Sequence, residues 1–69
     1  MERYLEVIRE LREDHHFTQK QIAEKLGTTQ QVYSRYETGV NAIPVHHILK
    51  LCDIYHVSAD YLLGRTNRK

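Results

Sequence analysis

The sequence predicts an all-α fold, a compact bundle of five helices. Three observations carry the five-helix reading. Apolar residues recur three or four apart in successive segments, and no segment alternates in the manner of a strand. Threonine or serine stands before several of these segments and glycine after them, which are helix start and stop signals. The connections left between segments are only about two to seven residues long, as in compact helical domains. There are no repeats and no low-complexity tracts.

Residues 2–14 read as the first helix. Leu5, Ile8 and Leu11, joined by Tyr4 and His15, form one apolar stripe among charges. It ends at Asp14-His15-His16, one of which is expected to take a left-handed conformation in place of glycine. Thr18 starts the second helix. Thr18 and Gln21 fit a capping box, and Phe17 can staple onto Ile22. Ile22, Ala23 and Leu26 form its buried stripe, Ala23 being small enough for the next helix to approach closely. Gly27 ends it. Thr28 or Thr29 caps the third helix, with Thr29 in slightly better phase. Tyr33 and Tyr36 point inward there, Gln30, Gln31, Ser34 and Arg35 outward, and Val32 lies at the border. Gly39 closes it. Val40-Asn41-Ala42-Ile43 is a loop. Pro44 suits the first turn of a fourth helix, whose inner face is Val45, Ile48, Leu51, Cys52 and Tyr55. Ser58 caps a short fifth helix, with Val57 and Leu62 at staple positions and Asp60 in the first turn. Gly64 stops it. Residues 1–64 thus read as one domain and residues 65–69 as a flexible basic tail.

The 69 residues suffice for one domain. A chain this short buries about 60% of its unfolded surface, so the core must be economical. The single cysteine, Cys52, permits no internal disulfide and suits a reducing cytoplasm. No run of about 18 apolar residues is present to span a membrane, and the amphipathic start is not a signal peptide. The expected location is cytoplasmic. The net charge of +1 is uninformative, but its distribution is not. Residues 1–14 sum to −2 and residues 15–69 to +3, so the acidic end is the one less suited to phosphate.

The stretch TQKQIAEKLGTTQQVYSRYETG, Thr18 to Gly39, carries long polar side chains on its second helix where a buried helix would want apolar ones. It resembles the helix-turn-helix of the lambdoid phage repressor and Cro family, the XRE-type regulators. The resemblance extends over residues 5 to 64. It includes Leu11-Arg12, Thr18-Gln19, Ala23, Ser34-Arg35-Tyr36-Glu37, Gly39, Val57-Ser58 and Asp60-Tyr61-Leu62-Leu63-Gly64.

This resemblance implies a regulator, expected to be a repressor, that binds double-stranded DNA with the third helix in the major groove. Gln19 and Thr29 would touch backbone phosphate. Gln30 and Gln31 would enter the groove, and Arg35 would reach a phosphate or a guanine. Arg12 and Glu37 match a buried ion pair tying the first helix to the third. Elementary chemistry agrees with these roles. A glutamine amide matches adenine N6 and N7, worth about 1–3 kcal/mol against a wrong base. The free N–H groups of a helix start attract phosphate. Val32 is placed to meet a thymine methyl or to pack at the core edge. After Gly39, many relatives carry lysine or arginine; here only Asn41 and backbone amides stand in that loop. Fewer phosphate contacts imply weaker binding and a shallower salt dependence.

A helix this short reads few base pairs, so a homodimer on a roughly palindromic operator is expected, with half-sites about 34 Å apart. The end of the fourth helix, the fifth helix and Leu62-Leu63 are its expected surface. With no residues left for a sensor domain, control would come through protein abundance or operator occupancy. Adjacent pairs His15-His16 and His46-His47 lack the spacing of a helical metal site, so no metal or other cofactor is expected. Ser34, Ser58 and Cys52 lack a paired base, so the chain reads as no enzyme, and no small-molecule ligand is evident. The competing reading is a protein-interaction or antitoxin-like module with weak or no DNA affinity of its own, which the neutral Val40–Ile43 loop favours.

Overall fold

The computed structural model describes residues 3–68. Five helices follow one another: α1 (Arg3–Asp14), α2 (Gln19–Leu26), α3 (Gln30–Thr38), α4 (Val45–Tyr55) and α5 (Ala59–Leu62). There is no strand among the described residues. Glu2, where the sequence starts the first helix, lies outside them, as do Met1 and Lys69 at the end of the tail.

Side-chain caps set the starts. Thr18 Oγ1 accepts from the Gln21 N–H at 3.0 Å, and Gln21 Oε1 accepts from the Thr18 N–H at 2.8 Å, completing a capping box. Of the two threonines before α3 it is Thr29 that caps, accepting from the Val32 N–H at 3.2 Å. Ser58 accepts from the Tyr61 N–H at 3.1 Å. Each such cap stabilises its helix by about 1 kcal/mol. Pro44 corrects the sequence reading. It is the residue before α4 rather than its first turn, extended at φ −61° and ψ 150°. Its carbonyl accepts from the His47 and Ile48 N–H groups, a role for which proline is equipped.

The ends of α1, α2 and α4 share one device. A left-handed residue follows the helix, and the next N–H reaches back to a carbonyl five residues earlier. Gly27 (φ 77°) does this after α2, where the Thr28 N–H donates to the Ala23 carbonyl at 2.9 Å. After α1 it is His16 (φ 58°), with Phe17 N–H to the Arg12 carbonyl at 3.0 Å. After α4 it is His56 (φ 56°), with Val57 N–H to the Cys52 carbonyl at 3.1 Å, an ending that the sequence does not announce. Both histidines are exposed. His16→Gly is therefore expected to stabilise the domain by about 0.5–1 kcal/mol, read as a rise of a few degrees in the thermal midpoint.

The core is built from Val7, Ile8, Leu11, Ile22, Ala23, Leu26, Tyr33, Tyr36, Ile43, Leu51, Tyr55, Val57 and Leu62. α2 and α3 pack on each other, α1 lies against α3 and α5, and α4 against α2 and α5. Because α1 meets two neighbours, it buries a wider arc than one stripe, and Val7 joins the core at 3% exposure. Val45 is the opposite case. It is 70% exposed, while Ile43 in the preceding loop takes the buried place. The first turn of α4 runs past the edge of the core. Leu62 is fully buried and so has no surface to offer a second copy; Leu63 is partly exposed. Among the described residues, the large apolar side chains that face solvent most are Val40, Val45 and Leu49, with Leu63 less so. Gly64 is demanded by close approach, since a Cβ there would lie 2.5 Å from Arg3 Cγ.

Candidate nucleic-acid interface

Two helix starts converge on one face. Thr29 caps α3, so Gln30 and Gln31 occupy its first two positions and both are exposed. Arg35 follows one turn later, also exposed, and Ser34 is half-buried beside it. Thr18 caps α2 and puts Gln19 at its first position. Together Gln19, Gln30, Gln31, Ser34 and Arg35 line an open concavity of about 470 Å³. Ser34 is the member the sequence reading did not single out as a contact. Its outward phase on α3 was the available signal.

The other sequence candidates stand apart from this lining. Thr29 is exposed and its hydroxyl is engaged in the cap. Val32 is half-buried and packs against the core. Asn41 is exposed in the loop after α3, and its N–H donates to the Arg35 carbonyl at 3.2 Å. Arg35 is the only charged residue of the lining. The Val40–Ile43 loop adds no cation.

Beneath the concavity lies Glu37, 8% exposed. Arg12 holds it with a two-pronged contact, Nε to Oε2 at 2.6 Å and Nη2 to Oε1 at 3.2 Å. The third Arg12 nitrogen donates to the Phe17 carbonyl at 2.9 Å and so ties down the α1–α2 connection. Tyr33 Oη donates to Glu37 Oε2 at 2.5 Å, and Gln19 Nε2 to Oε1 at 3.2 Å. Burial pushes the Glu37 carboxyl up, but hydrogen bonds from Arg12, Tyr33 and Gln19 outweigh it and hold it below its ordinary range. Burial, then the bond to Glu37, raises the Tyr33 phenol far above its usual value.

A second buried tyrosine supplies a contrast. Tyr55 packs at a tilt against His15 and Phe17, with centroids 4.9 Å and 6.4 Å away. Its hydroxyl has no hydrogen-bond partner among the described residues. Tyr33→Phe is expected to destabilise by about 1.5–3 kcal/mol because its bond goes to a charged group. Tyr55→Phe breaks no such bond and should leave stability within about 1 kcal/mol or raise it. Urea denaturation of the two variants side by side checks this.

Two of the histidines make contacts within the fold. His15 Nδ1 donates to the Leu11 carbonyl at 2.8 Å, and His47 lies 5.9 Å from the Tyr36 ring and 4.2 Å from His46. Burial, then His46, then Lys50 lower the His47 pKa. Lys25 Nζ sits 5.2 Å over the Phe17 ring. The Cys52 thiol is half-buried and shifted up, first by burial and then by Asp53. Among the described residues no group of three or more His, Cys, Asp or Glu side chains could hold a metal ion. Among them, too, no helix is long and apolar enough to cross a membrane.

Residues 8–62 match the helix-turn-helix family profile. YobD of Bacillus subtilis, an uncharacterised helix-turn-helix-type transcriptional regulator, is 38% identical over 64 residues, covering 93% of this chain and 57% of its own. ImmR of the same organism, also a helix-turn-helix-type transcriptional regulator, is 40% identical over 58 residues, covering 84% of this chain and 46% of its own. The chain thus spans about half the length of the curated relatives it matches. The crystal structure of a transcriptional regulator from Listeria innocua superposes with a TM-score of 0.87 over 100% of this chain and 65% of that one. At 23% identity this likeness speaks to the fold.

Proposed function

The chain belongs to the XRE-type helix-turn-helix family, and from that membership we propose that it is a sequence-specific double-stranded DNA-binding transcriptional regulator, acting as a repressor. Residues 1–64 form the DNA-binding domain, and residues 65–69 a basic tail. α3 enters the major groove. Gln30 and Gln31 present amides to base edges, and Arg35 reaches a phosphate or a guanine. Gln19, Thr29 and Asn41 meet the backbone, and Val32 borders a thymine methyl.

The observation that carries this reading is the convergence of Gln19, Gln30, Gln31, Ser34 and Arg35 on one concavity at the starts of two helices. Polar groups with both donors and acceptors face outward there, and a helix start supplies backbone N–H groups that suit phosphate. Such a surface suits a polyanion with readable edges better than it suits an apolar partner. Two copies on a roughly palindromic site would extend the few base pairs one helix can read. With Leu62 buried, their contact would fall on Leu63 and the exposed Val45 and Leu49 of α4. The protein works in the cytoplasm on this reading.

The competing reading is a protein-interaction or antitoxin-like module, favoured by the uncharged Val40–Ile43 loop and the exposed Val40. Fluorescence anisotropy with labelled duplex, titrated between roughly 50 and 200 mM salt, separates the two. A light backbone grip predicts log-log slopes of about −4 or shallower. Failure to bind any duplex at low salt favours the interaction module.

A further inference from the structure

The Glu37 carboxylate is fully occupied. Oε2 accepts from Arg12 Nε and Tyr33 Oη, and Oε1 from Arg12 Nη2 and Gln19 Nε2. A carboxylate has about four acceptor positions, so none is left over. Arg12 and Tyr33 belong to the interior of the bundle. Gln19 does not, because its side chain also lines the concavity with Gln30, Gln31, Ser34 and Arg35. One hydrogen bond therefore runs from the buried ion pair to the candidate reading face.

An amide near a surface usually rotates, and either of its ends can meet a partner. A carboxylate removes that freedom. Only the N–H end can face an anion, so the assignment of Gln19 oxygen and nitrogen is fixed by Glu37. One amide hydrogen is engaged, and the second hydrogen and Oε1 are held in a set order. Gln30 and Gln31, exposed at the start of α3, have no such restraint among the described residues. A polar group already ordered before binding loses less freedom when it binds.

We propose that Glu37 is a positioning residue of the nucleic-acid face, which holds the Gln19 amide in one orientation so that its free N–H is ready for a backbone phosphate. This rests on the DNA-binding reading above. The ion pair is then more than a clasp between α1 and α3. It sets the geometry of a contact one hydrogen bond away.

Two measurements test it. In the free protein, side-chain 15N relaxation should find the Gln19 amide nearly as rigid as the backbone, with an order parameter of about 0.8, and the Gln30 and Gln31 amides below about 0.6. A Gln19 amide as mobile as theirs overturns the proposal. The second is duplex affinity of Gln19→Met and of the double variant Arg12→Met, Glu37→Met, which removes the buried charges and the acceptor of Gln19 together and roughly keeps the volume. Each is expected to lose about two- to tenfold on matched and scrambled duplexes alike, because a phosphate contact carries no sequence information. A folded variant of either kind with wild-type affinity overturns the proposal. Should the double variant not fold, the relaxation measurement and Gln19→Met decide. Failure of the wild type to bind any duplex sinks the DNA-binding reading itself. A normal wild type with an unaffected Gln19→Met sinks only the positioning role.

Discussion

Glu37→Ala is expected to destabilise the domain by about 3–5 kcal/mol, because it strands the Arg12 guanidinium without its anion. The side chains of Arg12 and Glu37 are only 13% and 4% exposed. Neither charge recovers much water when its partner is lost. Tyr33 and Gln19 lose their acceptor at the same time. A domain of this size has roughly 3–10 kcal/mol in total, so a large fraction of Glu37→Ala should be unfolded at room temperature by circular dichroism. Arg12→Ala should behave alike, and the double variant should lose less than the two singles added together. A buried pair is not in itself a source of stability, and similar-sized uncharged replacements of both partners can be neutral. The large effect belongs to breaking the pair.

The same carboxylate sets the response to acid. Glu37 is held below its ordinary range in the folded state, so the unfolded chain takes up this proton at higher pH than the folded one does. The stability contributed is present above the unfolded glutamate value, about 4.3, and is lost as pH falls through the lower folded value. Acid titration of thermal stability should therefore show a decline beginning near pH 4 to 5, and Tyr33→Phe, which removes one donor from Glu37, should make that decline smaller.

The second large effect is on binding. Gln30→Ala and Gln31→Ala should each lose about 1–3 kcal/mol of discrimination at one or two base pairs, roughly 5- to 150-fold. Both residues are exposed at the start of α3 and neither belongs to the core. Their effect on folding stability should stay within about 0.5 kcal/mol. Arg35→Ala should lower affinity for all duplexes if it meets phosphate, and relax a single position if it meets guanine.

Much of this was legible in the sequence because the signals were local. Thr18 with Gln21, Thr29, Ser58, Gly27 and Gly39 mark helix ends by chemistry that acts over three or four residues. The 3.6-residue phase separated Tyr33 and Tyr36 from Gln30, Gln31 and Arg35. What escaped depended on neighbours distant in sequence. Val7 is buried because α5 covers a second side of α1. Val45 is exposed because α4 begins beyond the edge of the core, and Ile43 fills the space instead. Leu62 is core because the short α5 lies against α1. The bond from Gln19 to Glu37 crosses from one helix start to another helix end, and no spacing rule announces it. His56 ends α4 in a conformation usually left to glycine, held there by the Val57 N–H to Cys52 bond.

The most direct measurement is selection from a randomised duplex pool, run in parallel with the wild type, Gln30→Ala and Gln31→Ala at matched salt. The expected result is a short, roughly palindromic sequence enriched by the wild type, with preference lost at particular adjoining positions in each variant while all three proteins melt alike. A wild type that enriches no sequence, or variants that enrich the same sequence as strongly, would contradict base reading by α3.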